Sequence, residues 1–269
     1  MAFVRGEDNL SHLLHMAQPA FVPPSSADFF FNPAFGSSFL ATKPVLLVMF
    51  SVIVIVAFFT ISARKAAVVP SRLQFAGEMV YGFVRNSIGK DVIGEEYQRF
   101  VPFLFAIFTF VLTNNLFGVV PFMQFPTMSH IGFPVSITIF VYLVYHYVAI
   151  KKKGLGPYLK EMCFMPGVPK AVYVILAPVE FLTYFAVRPL TLAMRLFGNM
   201  FAGHLLLLLF TLGGEYMLKS ALFVKFFAII SFGMAIGLSF FEMGIQALQA
   251  YIFTLLAALY IAGALADEH

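Results

Sequence analysis

Charged residues are scarce in this chain. Of its 269 residues only 11% are charged and 61% are hydrophobic, whereas an ordinary soluble domain carries roughly 25% charged residues. So little polar surface cannot cover the apolar mass in water, which excludes a water-soluble fold. The single cysteine, Cys163, excludes an intrachain disulfide and a cysteine-built metal cage, and it reads as a small buried apolar residue. The sequence also lacks a phosphate-cradling glycine loop with its lysine, histidine pairs at metal-ligand spacing and a G-x-S-x-G nucleophile motif. No covalent chemistry is therefore expected of the chain alone, and no cofactor or metal. The amino end lacks a charged segment leading into a short apolar stretch and a small-residue cleavage site, so no signal peptide is predicted and insertion falls to the first spanning helix. Internal repeats and low-complexity tracts are missing too.

What the sequence does have is apolar runs. Those at 44–63, 100–122, 133–150, 171–212 and 220–266 approach or exceed the roughly 18 residues that argue for insertion into a bilayer. They predict an all-α integral membrane protein with about five membrane-embedded helices. Residues 1–39, with Pro23, Pro24, Pro33 and the Phe29, Phe30, Phe31 patch, read as an interfacial lead-in, and 40–269 as one polytopic domain. Spanning helices are expected at about 43–63, 100–119 and 135–150. At 71–96, Leu73, Ala76, Met79, Val80, Phe83 and Ile88 recur at near-helical spacing among Gln74, Glu78, Arg85 and Lys90. That pattern predicts an amphipathic helix lying along the interface.

The net charge of +4 sits in loops: Arg64, Lys65 and Arg72 after the first run, and Lys151, Lys152, Lys153, Lys160 and Lys170 after the third. No aromatic residues interleave with them as single-strand nucleic-acid binding requires. This is a topology signal, not a nucleic-acid patch. By the positive-inside rule both clusters are cytoplasmic, the uncharged loop around Pro121, Pro126 and Pro134 is outside, the amino end is outside, and the carboxyl end Asp267, Glu268, His269 is inside. The 35 phenylalanines read as lipid-facing and packing mass.

The last two segments, 171–212 and 219–266, are too long for upright helices. Forty-two residues make about 63 Å of helix against a hydrocarbon thickness of about 30 Å. Either each breaks into two crossings, near Pro189 and near Gly233 and Gly237, or both are long, strongly tilted helices forming a hairpin about Gly213–Tyr216. The tilted case needs about 60° from the normal, beyond the usual range.

These same segments concentrate the membrane ionisable residues, which are functional candidates by default; the earlier spanning helices carry almost none. The first holds Glu180, Arg188, Arg195, Asn199 and His204, and the second Lys225, Glu242, Gln246 and Gln249. A guanidinium is permanently charged, so Arg195 cannot carry protons; it can hold a nearby carboxylate ionised and interrupt a continuous proton wire. Asn199 shares its face at about 40° of rotation, whereas His204 is about 180° away. Glu242, Gln246 and Gln249, spaced by four and seven, form one polar stripe suited to lining a water path. If Glu242 meets His204, the pair makes a proton relay. The plainer readings are a buried ion pair of Arg195 with Glu180 or Glu242, His204 as an interhelical hydrogen-bond donor, Gln246 as helix glue, and Arg188 and Lys225 snorkelling to an interface.

Three segments carry a resemblance. RPLTLAMRLFGNMFAGHLLLLLF, from Arg188 to Phe210, resembles the signature of subunit a of F-type ATP synthases. TNNLFGVVPF, from Thr113 to Phe122, and IQALQAYIFTLLAALYI, from Ile245 to Ile261, are similar to two further motifs of that family in the same order, and the similarity runs from about residue 40 to the end. The resemblance implies two long tilted helices packed on a rotor ring of c subunits, with subunit b of the peripheral stalk, the other synthase subunits and membrane lipid as partners. It implies that Arg195 is the stator arginine facing each rotor carboxylate. Asn199, His204, Glu242 and Gln249 then belong to the polar access path or lie beside the arginine, Asn115 lies near it, and Glu180 lines the path on the other side. Many members have an acidic residue where His204 stands and a histidine where Glu242 stands, and this sequence has the swapped arrangement. The expected location is the bacterial plasma membrane, with an organellar inner membrane as the alternative. A secondary transporter and a purely structural membrane anchor are the rival functions.

Overall fold

A computed structural model describes residues 21–25, 42–64, 67–120, 123, 127–163 and 170–266. The rest of the 1–39 lead-in, Lys65, Pro121, Pro126 and the carboxyl-terminal Asp267, Glu268 and His269 lie outside the described residues. The described residues are almost all helical and contain no strand. The helices are α1 (Lys43–Ala63), α2 (Arg72–Phe83), α3 (Tyr97–Leu116), α4 (Gly132–Lys153), α5 (Leu155–Cys163), α6 (Lys170–Leu182), α7 (Arg188–Leu218) and α8 (Leu222–Leu265). Five helical stretches, Lys43–Ala63, Arg72–Leu116, Gly132–Lys153, Ile175–Leu218 and Leu222–Leu265, are long and apolar enough to cross a membrane. Helix is the only open-chain solution there, because hydrocarbon offers no partner to a backbone N–H or C=O.

Two compact units are present. One comprises residues 31–202 and 242–269; the other comprises 1–30 and 203–241. In the larger unit, α2 runs into a wide turn of helix at Val84–Ile93 and a tight one at Gly94–Glu96 before α3 begins. Gly94 has φ +79°, a conformation that glycine adopts without a Cβ penalty. The reversal lays Val84 and Ile88, both fully buried, in one core with Phe100 and Leu104 of α3. At the opposite end of α3, the Asn114 side chain donates to Ser51 Oγ of α1 at 2.9 Å and to the Phe110 carbonyl at 2.8 Å, and accepts from Thr127 Oγ1 at 3.0 Å. Its amide is thereby satisfied inside the protein. On α8 the buried positions Ala250, Phe253, Ala257, Ile261 and Ala264 follow helical spacing. Small residues there permit the close helix approach on which membrane packing depends.

The smaller unit is a helical hairpin between the second half of α7 and the first half of α8. Ser231 Oγ donates to the Phe210 carbonyl at 2.7 Å, and a Cβ on Gly214 would lie 3.1 Å from the Phe232 ring. Lys219 pairs with Glu215 at 2.7 Å beside the turn.

The choice between broken and continuous long helices is decided. α8 runs without interruption through Gly233 and Gly237, and the helical stretch Ile175–Leu218, which ends in α7, continues past Pro189. The irregularity lies just before Pro189, where Thr183–Val187 widens into a π turn. A proline inside a helix lacks its donor and clashes with the carbonyl four residues earlier, and one wider turn relieves both defects without ending the helix. The continuous stretches Ile175–Leu218 and Leu222–Leu265 have 44 residues each, about 66 Å of helix at 1.5 Å per residue. That is about twice the hydrocarbon thickness of about 30 Å.

Candidate functional site

The polar stripe of α8 is buried within the larger unit: Glu242 is 5% exposed, Gln246 1% and Gln249 2%. Helical spacing stacks the three side chains, and the Gln246 amide donates to Glu242 Oε1 at 3.1 Å. Two other helices close on this stripe. The Asn115 side chain of α3 donates to the Gln246 backbone carbonyl at 3.3 Å, and the Asn199 side chain of α7 donates to Gln249 Oε1 at 2.7 Å. One hydrogen-bonded row thus runs from the carboxyl of Glu242 through Gln246 to Asn115, and a second link joins Gln249 to Asn199.

The row is incompletely satisfied. Glu242 Oε2, Gln246 Oε1, Gln249 Nε2 and Asn115 Oδ1 are buried and have no partner among the described residues. A buried polar atom left unpaired costs about 1–3 kcal/mol, and such groups are where water or a mobile proton is accommodated in a protein interior. Asn114, one residue from Asn115 and rotated about 100° from it, has no such deficit. One neighbour ties helices together, whereas the other holds an unspent acceptor next to the carboxyl row.

Arg195 stands one turn before Asn199 on α7. Leu192, Ala193, Leu196 and Met200 around it are buried, so this part of α7 packs through one face while Arg195 stands exposed. Among the described residues no acceptor or carboxylate takes up its guanidinium, and neither Glu180 nor Glu242 does so. Glu180 on α6 is half-buried and makes no hydrogen bond or ion pair among the described residues. His204, in the smaller unit, is 8% exposed. No group of His, Cys, Asp and Glu among the described residues is arranged to hold a metal ion.

Gln246, which spacing placed on the stripe with helix glue as its plainer reading, is as central to the row as Glu242. One residue was missed in the sequence. His146, in the middle of α4, accompanies Tyr142 and Tyr145 and meets Tyr158 Oη at 2.6 Å from its Nδ1. Its signal was the Tyr-x-x-Tyr-His string on a spanning helix otherwise poor in ionisable groups.

Continuous apolar helices, a buried acid–amide row and an exposed arginine that no described residue pairs with define a multi-pass membrane protein with polar side chains buried in its interior. The family described as ATP synthase A chain matches residues 45–262. A protein of Nocardioides sp. named ATP synthase subunit a is 49% identical over 239 residues, covering 87% of this chain and 86% of its own. One of that name from Pseudarthrobacter chlorophenolicus is 41% identical over 98% of this chain and 96% of its own, and one from Rhodococcus erythropolis is 36% identical over the full length of both. The chain belongs to the ATP synthase A chain family, the subunit a of the membrane sector, and is a bacterial multi-pass membrane protein.

Proposed function

We propose that this chain is the proton-conducting stator of its synthase, supplying two offset aqueous half-channels to a rotating ring of c subunits, and that it catalyses no covalent reaction alone. The observation that carries the reading is the exposed Arg195, uncompensated among the described residues and one turn from a residue bonded to the buried polar row. An arginine in a membrane is expensive without a partner, and an arginine on the outer face of a packed helix calls for that partner from another chain. A rotor carboxylate meets the requirement.

In this mechanism a proton arrives from outside along Asn115, His204, Glu242 and Gln249 and neutralises a rotor carboxylate. The neutral acid tolerates hydrocarbon far better than its ion does, so the ring turns it into lipid. Near the end of the turn the carboxyl releases its proton into the inner half-channel, which Glu180 helps to line. Arg195, with Asn199 beside it, attracts the bare carboxylate and keeps the two half-channels from joining. Each charge crossing the membrane carries about 2.3 kcal/mol per 100 mV, so several are needed per ATP. The amino end is outside and the carboxyl end cytoplasmic, with subunit b and the remaining synthase subunits completing the stator.

ATP-driven acidification of inverted membrane vesicles tests the reading, with assembly checked alongside. Arg195→Ala is expected to assemble and abolish pumping. Pumping at the natural rate would return the chain to a transporter or scaffold role.

A further inference from the structure

A second polar site lies in the larger unit, apart from the Glu242 row. A cavity of about 320 Å³ opens between α4, α5, the start of α7 and the end of α8, lined by Tyr145, Lys153, Tyr158, Tyr184, Arg188 and Tyr260 among others. Its charged lining residues among the described ones are both cations, Lys153 and Arg188. The Arg188 guanidinium lies 3.5 Å over the Tyr184 ring and 5.6 Å from that of Tyr260. These rings hold the cation in place without neutralising it, and among the described residues no acid pairs with it. Nearby Lys152 is treated differently: it lies 3.6 Å from Glu96 and donates to the Leu265 carbonyl at 2.6 Å.

The second observation comes from the wall. Tyr145 is 3% exposed, and its hydroxyl is buried with no partner among the described residues. Its ring stacks on His146 and packs against Tyr260 at 5.5 Å, and Tyr145 is one of the residues that line the cavity. A lone buried donor beside a held guanidinium is half of an oxyanion-binding set, and a guanidinium fork matches phosphate geometry. The volume lies at the small end of ligand pockets, which suits a phosphoryl group and its glycerol better than a nucleotide. Lys153 closes the lysine-rich end of α4, the level at which basic residues meet anionic headgroups.

We propose that this cavity binds a phosphate-bearing anion, with Arg188 and the Tyr145 hydroxyl as its principal contacts. Two sources offer that chemistry: the headgroup of an anionic phospholipid in the adjacent leaflet, and free inorganic phosphate.

The assembled synthase, purified in mild detergent, is incubated with phosphatidylcholine vesicles doped with phosphatidylglycerol and re-isolated. Retained phosphatidylglycerol per complex is then counted by mass spectrometry. A parallel incubation uses radiolabelled inorganic phosphate without vesicles. The natural chain is expected to retain roughly one more anion per complex than Arg188→Gln, with Arg188→Lys intermediate and Tyr145→Phe releasing it several-fold faster. Arg188→Lys and Tyr145→Phe keep the test decisive if Arg188→Gln fails to assemble. A difference in phosphatidylglycerol identifies the lipid as the source, and a difference in inorganic phosphate alone identifies the soluble anion. Equal retention of both probes by the natural chain and the variants overturns the proposal and leaves a water-filled vestibule.

Discussion

Asn199 Nδ2 donates to Gln249 Oε1 at 2.7 Å, joining α7 to α8 one turn from Arg195. The bond connects the helix that presents the arginine to the helix that carries the buried carboxyl row. Without it, Gln249, whose Nε2 has no partner among the described residues, would lose the side-chain hydrogen bond it makes among them.

Disrupting this link should therefore affect coupling more than assembly. Asn199→Ala and Gln249→Leu, singly and together, form a cycle read by ATP-driven pumping in vesicles. Each single variant should lower pumping, with the double variant little worse than the more severe single one, because one shared bond is lost. Strictly additive losses would show that the two side chains act independently.

Glu242→Gln separates proton exchange from hydrogen bonding. The amide oxygen still accepts from Gln246 as the carboxylate oxygen does, but the side chain no longer titrates. Assembly should stay normal while passive proton conductance through the membrane sector falls at least tenfold; a general base or acid typically contributes a factor of about 10²–10⁴ to proton transfer. Unchanged conductance would remove Glu242 from the path.

The adjacent asparagines should respond in opposite ways. Asn114→Leu breaks the bonds to Ser51 and Thr127 and should destabilise the protein by about 1–3 kcal/mol, seen as earlier thermal inactivation in detergent. Asn115→Leu removes one weak bond and an unsatisfied acceptor, so stability should hardly change while proton transport drops. A reversed pattern would exchange the roles assigned to them.

Gly94→Ala tests the reversal ahead of α3. Alanine at φ +79° should cost about 1 kcal/mol, and Gly94→Val more, with thermal inactivation shifted in that order. Equal stability of all three would mean that the turn relaxes freely.

Parts of the site were legible from spacing. Glu242, Gln246 and Gln249 fall on one stripe because 3.6 residues complete a turn, and any helix through them stacks their side chains whatever surrounds it. The exposed and buried faces of α7 around Arg195 follow the same rule. The contacts of the row's other members, Asn115 and Asn199, which the resemblance had named, were not legible from spacing. Asn115 reaches Gln246 across 131 positions of sequence, and Asn114, with the same side chain, reaches Ser51 and Thr127 instead. Only the rotation of α3 against α1 and α8 separates their roles.

By itself, the sequence determined that this chain is helical, crosses a membrane and carries an arginine and a carboxyl stripe in apolar surroundings. Those properties are local: hydrocarbon demands internally bonded backbone and long apolar runs, and both can be counted along one dimension. The tertiary structure decided that the helical stretches Ile175–Leu218 and Leu222–Leu265 continue past Pro189, Gly233 and Gly237, that Asn199 meets Gln249, that Arg195 has no partner among the described residues, and that Arg188 and Tyr145 line one cavity. Each depends on how helices pack sideways and how a neighbouring turn absorbs a proline, and sequence spacing does not encode contacts between residues that lie far apart in the chain.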